Sequence, residues 1–378
     1  MQKPFYQLSH LQDVIRHFTP NWFTAVMGTG VVALIIAEMP FAHALMWKLG
    51  EALWHFNMFL FAVFSILYFL RWFFYTDEAK QIFNHPVMCL FLGAIPMGLA
   101  TILNGFLKFG IPLYGDISIQ IAEQLWYVDV ALAVLIAWVV PFAMYSQQQH
   151  ELKTMTAVWL LPIVACEVSA SSGGLLLAHL EATEHAVAIL LGSYALWGIS
   201  VLPAFGILTV LMLRLAVHQL PSKELAISSW LALGPIGTGA LALLVLGEQA
   251  PRILQVIGMQ NLGEFAHQAG VLASLILIGF GVWWLGIAVL TTLKHAKKEL
   301  PFNLGWWGLT FPLGVFSLAV LNLAHQTQLH FIYVIAFSLA TVLIILWSIV
   351  AIRTFKGFYQ GNLIFSPCLK SYLEREKA

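Results

Sequence analysis

Three carboxylates lie in stretches of this chain that are otherwise apolar: Glu123 and Asp129 near one another, and Glu167 in the middle of a later run. A charge away from water is costly unless it pairs, takes up a proton or serves transport. Close behind Glu167 come Ser169, Ser171 and Ser172, then Gly173 and Gly174. Other hydroxyls also sit beside helix-weakening residues: Thr29 between Gly28 and Gly30, Thr238 in the run Gly234 to Gly239, and Thr310 just before Phe311 and Pro312. Such groups suit a neutral, solvating path, and a lone acid suits proton uptake. Bond-making chemistry has less support. Cys89, Cys166 and Cys368 are scattered without metal-ligand spacing and read as inert apolar residues. Ser171 and Ser172 have no convincing histidine partner, and no phosphate-binding glycine motif occurs. The 13 histidines avoid span centres; His55, His179, His267 and His325 fall near helix ends. Neither a cofactor nor a metal is expected, and the chain does not read as an enzyme.

The elements that must position these groups follow from composition. Of the 378 residues, 60% are hydrophobic and only 10% are charged, against roughly 25% charged in a soluble domain. Such a chain cannot cover its surface with polar groups, so it reads as an integral membrane protein built of helices, with the lipid bilayer as its first partner. Balanced charge, 18 basic against 18 acidic residues, gives a nucleic-acid partner no electrostatic support. The first apolar run begins only at Trp22, so no cleavable leader is expected.

Hydropathy predicts ten spans at about 21–38, 50–73, 87–106, 121–145, 155–177, 186–212, 225–246, 265–292, 303–324 and 331–352, each close to the length that crosses ~30 Å of hydrocarbon. The expected organisation is a segment 1–20, a ten-span domain 21–352 and a tail 353–378. Leu8, Leu11, Ile15 and Phe18 recur at helical spacing and predict a short helix at the membrane surface. With both termini on one side, that side holds every Lys and Arg except Lys48, Lys108 and Arg252, which predicts cytoplasmic termini in a plasma membrane. Span interiors hold no Lys or Arg, so any path through them is neutral apart from the three acids.

Odd and even spans differ. Spans 3, 5, 7 and 9 carry Pro96, Pro162, Pro235 and Pro312, and span 1 has Gly28 and Gly30 instead. Spans 2, 4 and 10 are Phe-, Leu-, Ile- and Val-rich rods without interior glycine, although spans 6 and 8 blur the rule. Proline frees a carbonyl that must find a partner in protein or water. Repeated breaks in alternate spans therefore predict five helical hairpins, with the broken, odd-numbered member of each facing inward around a path.

The stretch from Phe18 to Val31, which contains Pro20-Asn-Trp-Phe and Met27-Gly-Thr-Gly, resembles the first-span signature of the tellurite-resistance/dicarboxylate transporter family. That family includes the plant slow anion channel, yeast malate permease and the fungal sulfite efflux pump. Trp159-Leu-Leu-Pro162, Leu233-Gly-Pro-Ile-Gly237 and Trp306 to Gly314 match in the same order, so the resemblance covers nearly the whole chain. It implies an all-α membrane fold of ten helices as five hairpins around a central pore, odd helices inside, usually as a homotrimer. It also implies a small-anion substrate and a phenylalanine gate from the ninth span, which falls on Phe311, with Phe316 the lesser candidate. Stabilisation of the anion then rests on Thr29, Ser169, Ser171, Ser172, Thr238, Thr310 and loosened N–H groups at the breaks. Glu167 becomes the candidate for proton coupling or pH sensing, since its protonation would neutralise the path and carry a proton with the substrate. The wording of the motifs tilts the expectation to a C4-dicarboxylate such as malate, with sulfite or another inorganic monoanion as the alternative.

Overall fold

The computed structural model describes residues 5, 6, 10, 12–297 and 300–376. Ten long helices dominate them: α1 Pro20–Ile36, α2 His43–Phe74, α3 Met88–Tyr114, α4 Ile117–Ser146, α5 Ala157–Leu177, α6 Glu184–His218, α7 Ala226–Ile257, α8 Gln260–Ala296, α9 Leu304–Thr327 and α10 His330–Gln360. Nine are long and apolar enough to cross a membrane. The tenth, α1, is shorter, about 25 Å at 1.5 Å per residue. It is nonetheless buried along its whole α-helical length. No strand occurs among the described residues. The chain is an all-α, multi-pass membrane protein.

Burial separates the helices into two rings. In α3, α5, α7 and α9 between 78% and 94% of the most apolar window is buried, against 17% to 33% in α2, α4, α6, α8 and α10. The odd helices pack in a closed cycle, α1 on α3, α3 on α5, α5 on α7, α7 on α9 and α9 back on α1. Each even helix packs outside on the odd helix before it and on the one after it. Large apolar side chains such as Phe59, Phe69, Phe142 and Ile276 remain exposed on the outer ring, as a lipid-facing surface requires.

One tryptophan from every outer helix ties the rings together. The indole N–H groups of Trp54, Trp126, Trp197 and Trp284 donate to the carbonyls of Ile102, Ser169, Gly239 and Ser229 at 2.9–3.1 Å. That of Trp347 donates to Thr29 Oγ1 at 3.1 Å. Inside a membrane an indole donor needs such a partner.

Each inner helix opens with a 3₁₀ segment: Pro20–Trp22, Met88–Gly93, Ala157–Leu160, Ala226–Ala232 and Leu304–Leu309. The α-helical part follows, and Pro96, Pro162, Pro235 and Pro312 fall within its first three residues. In that first turn proline sacrifices little, because its missing N–H has no intrahelical acceptor in an isolated helix. These prolines thus mark 3₁₀-to-α junctions and do not break mid-helix. Nor do Gly28 and Gly30 interrupt α1, which is continuous α-helix over Phe23–Ile36.

The outer helices run past the limits that hydropathy predicts, α10 to Gln360 for example, because hydrogen bonding continues where side chains turn polar. The surface helix expected before Pro20 rests partly on Leu8 and Leu11, which lie outside the described residues. What is described there is one turn, Asp13–Arg16. Beyond α10 a further helix, α11 Pro367–Glu376, packs back on the α2–α3 connection. Buried Arg71 joins the ends of the chain, donating to the Phe18 carbonyl at 2.5 Å and to Ser366 Oγ at 3.3 Å.

Candidate functional site

Two cavities lie at opposite ends of the inner ring. The first, about 240 Å³, is bordered by the starts of all five inner helices, including Asn21, Thr24, Phe91, Leu161, Ser228 and Gly308, with Glu224 at its rim. The second, about 280 Å³, is bordered by their far halves, including Glu38, Asn104, Lys108, His179, Asn322 and His325. They share no lining residue. The first lies on the side of the termini, where Asn303 donates to the Glu224 carbonyl at 3.2 Å and Arg16 pairs with Glu78.

Helical register shows what separates them. On α9, Gly308 borders the first cavity and Leu318 and Asn322 the second. Phe311 and Val315 lie on the same face between them, at the 3- and 4-residue spacings that align helix neighbours. Thr238 lies likewise between Leu231 and Leu241 on α7, Val31 between Met27 and Leu34 on α1, and Val164, Val168 and Ser171 between Leu161 and Leu175 on α5. All these intervening residues are no more than 4% exposed. Gly308 and Leu318 are ten positions apart on α9, about 15 Å of rise, and Phe311, four valines, Ser171 and Thr238 hold the intervening register positions.

The other predicted residues face elsewhere. Gly28 abuts Thr310 and Trp307 of α9, while Gly30 abuts Thr101 of α3 and Asn57 of α2. These two glycines let α1 sit tightly between its inner neighbours. Thr29 is directed to Trp347 on the outer ring. Ser169 donates to Asp129 Oδ2 of α4 at 2.6 Å. Thr310, wedged against Gly28, donates to the Trp307 carbonyl at 2.7 Å. Ser171 donates to the Val168 carbonyl at 2.8 Å and Thr238 to that of Gly234. Of the six hydroxyls the sequence proposes for a path, only Ser171 and Thr238 thus sit on the axial stripes. Ser172 Oγ is buried without a protein partner.

Glu167 is fully buried away from the axial stripe of α5. Ser200 of α6 approaches its carboxylate, a Cβ at Gly239 of α7 would lie 3.6 Å from its Oε2, and neither carboxylate oxygen has a protein hydrogen bond of ordinary geometry. Phe316 is also off the stripe: its backbone packs on Gly237 and its ring on Gly281 of outer helix α8. Glu123 pairs with His185 at 2.6 Å at the far end of the outer ring.

Sequence reasoning misses the polar groups of both cavities. The signal available was register: stepping three, four or seven residues from Phe311 leads to Gly308, Leu318 and Asn322. The five inner helices start at the first cavity, and their N–H ends and dipoles favour an anion there. Glu224, in the connection before α7, opposes this. Hydrogen bonds from its own backbone N–H and from Ser222 hold its carboxyl below the usual range, so it stays ionised.

A ring of five inner helices with a cavity at each end is an architecture suited to transport. The chain is 33% identical over 346 residues to the sulfite efflux pump SSU1 of Trichophyton rubrum, covering 91% of this chain and 92% of that protein. It is 28% identical to an uncharacterised transporter of Methanocaldococcus jannaschii, over 93% of this chain and 96% of that one. It is 22% identical to the malic acid transport protein of Schizosaccharomyces pombe, over 94% of this chain and 82% of that one. Residues 17–355 match the SLAC1 family, described as voltage-dependent anion channel, and the chain belongs to that family.

Proposed function

We propose that this protein conducts small inorganic oxyanions of the sulfite class along the axis of its inner ring, with Phe311 as the gate. The observation that carries the reading is the pair of cavities at the two ends of that ring, divided by a short apolar stretch in which Phe311 is the one aromatic ring on the axial stripes traced above. A neutral apolar constriction blocks ions by excluding water, and rotation of one ring reopens it. Hydrogensulfite, the monoanion that sulfite forms around neutral pH and below, fits better than the malate dianion, because the cost of dehydrating an ion rises with the square of its charge and span interiors supply no lysine or arginine. The greater identity to sulfite pumps than to malic acid transport proteins supports the same order. With a negative interior each charge gains ~2.3 kcal/mol per 100 mV on leaving, so the passive direction is efflux. The setting proposed is a plasma membrane, with cytoplasmic termini and the first cavity facing the cytoplasm. A homotrimer, as the family resemblance implies, would assemble through the apolar outer ring.

A second reading, a proton-coupled C4-dicarboxylate carrier, is favoured by one feature: the buried carboxylate of Glu167 without a hydrogen bond of ordinary geometry. Flux into proteoliposomes of sulfite, nitrate, chloride and malate, with voltage and pH gradient set independently, separates the two. Monoanion flux that follows voltage supports the pore. Malate flux that requires a proton gradient and disappears in Glu167→Gln establishes the carrier.

A further inference from the structure

The second cavity has an electrostatic problem that the first does not. It lies at the C-terminal ends of α1, α5 and α9, where unpaired carbonyls and the dipoles present negative potential, with α3 and α7 passing along its wall. An anion leaving the constriction on this side would be repelled. Yet the basic groups bordering the inner ring gather here: Lys108 from α3, His179 just after α5 and His325 from α9, with the amides of Asn104 and Asn322 between them. The first cavity has none of these, and its one ionisable lining group is the acid Glu224.

The polar groups are only partly engaged. Lys108 pairs with Glu38, just after α1, which uses one of its three N–H donors. Asn322 donates one amide hydrogen to the Leu318 carbonyl at 2.9 Å, leaving the other free. Asn104 Oδ1 is buried without a protein partner. The His325 ring lies 5.5 Å from that of Tyr333 on α10. Arg252 of α7 is held on the carbonyls of Leu177 and Leu180, which flank His179 in the chain.

We infer that this cavity is an anion-binding station, in which a small oxyanion is held by Lys108, His179, His325 and the Asn322 amide, and that its occupancy rises when the pH on that face falls. The inference rests on the anion-pore reading and adds a binding site and a regulation to it. In the resting arrangement Glu38 neutralises Lys108, and an imidazole offers one N–H when neutral and two when protonated. Acidification adds positive charge, through His179 just past the end of α5, to a cavity whose fixed ion pair sums to zero. Burial pushes the His179 imidazole below its ordinary value, so at neutral pH it is uncharged and only acid conditions charge it. Lys108, Glu38 and His325 border the same cavity as His179, Arg252 is held on the carbonyls on either side of it in the chain, and Tyr333 packs on His325. The anion is thereby drawn to the exit whenever the compartment beyond is acidic.

The test is nitrate flux, because the charge of nitrate does not change across the range. In sealed vesicles of known orientation the pH of each face is set separately between about 7.5 and 5.5, the range over which histidine changes charge. Acidifying the face of the second cavity raises wild-type flux on the order of threefold to tenfold, and acidifying the other face does not. In His179→Gln/His325→Gln the ratio of flux at about pH 5.5 to flux at about pH 7.5 falls to near one. Glu38→Gln, which frees Lys108, raises flux already at neutral pH and serves if the double variant does not fold. A double variant with undiminished pH dependence, or a Glu38→Gln that lowers neutral-pH flux, overturns the station. Wild-type protein that passes neither nitrate nor sulfite at any pH overturns the pore reading itself, a result recognisable without any variant.

Discussion

Gly28 of α1 lies directly against the Thr310 hydroxyl of α9, and a Cβ at position 28 would come within 2.7 Å of the Trp307 ring. This contact closes the inner ring between its first and last members. The same test at Gly234 finds only Val164, at 4.0 Å. Gly28→Ala is therefore expected to destabilise by about 1–3 kcal/mol through overpacking, whereas Gly234→Ala is nearly neutral. Thermal unfolding in detergent checks the pair, and equal shifts would show that the closure is not tight.

The alternation of an inner and an outer ring was legible because the inner helices carry Gly, Ser and Pro, which close packing among helices selects, while three outer ones are plain apolar rods. The direction of each side chain was not. Neighbouring residues on a helix point 100° apart, so Thr29 and Ser169 belong to compositions that suggest a path yet face Trp347 and Asp129 on the outer ring. The prolines were legible as landmarks, but their place at 3₁₀-to-α junctions depends on where each helix begins, which hydropathy does not resolve. Lys108 and Glu38 lie 70 residues apart in sequence, and no local pattern announces that they meet.

The indole of Trp126 donates to the Ser169 carbonyl at 2.9 Å and belongs to the set of five that joins the rings. Trp126→Phe keeps most of the ring volume and removes the donor. A loss of about 1 kcal/mol is expected, read as a lower unfolding temperature with anion selectivity unchanged. Altered selectivity would place Trp126 in the path.

Glu224 stands ionised at the rim of the first cavity. Its charge opposes anion entry, so Glu224→Gln should raise flux from that side roughly twofold to threefold at low salt, with the gain fading as salt screens the charge. Reduced flux would mean that the carboxylate organises the mouth instead of repelling ions.

At the joined termini, His17 Nδ1 accepts from the Ser366 N–H at 3.3 Å, close to Arg71. Burial, together with Arg16 and Arg71, holds the imidazole below its ordinary value of 6.5, against the pull of Asp13 and Glu78. The folded state thus prefers the neutral ring. Its stabilisation is present above pH 6.5 and is lost as pH falls through 6.5 toward the lower folded value. Protease cleavage within Pro367–Glu376 should accelerate over that interval, and His17→Gln should flatten the dependence. Acceleration on the alkaline side would contradict the sign.

The central claim is that the Phe311 ring closes the axis between the two cavities, and anion flux through Phe311→Ala tests it most directly. Reconstituted at equal density with wild type under a fixed voltage, the variant should pass nitrate and sulfite at least about tenfold faster, as expected when a plug worth more than ~1.4 kcal/mol is removed. Phe316→Ala, off the stripe, should not. Flux through Phe311→Ala equal to wild type, in protein that unfolds at the wild-type temperature, would show that the ring is not the gate.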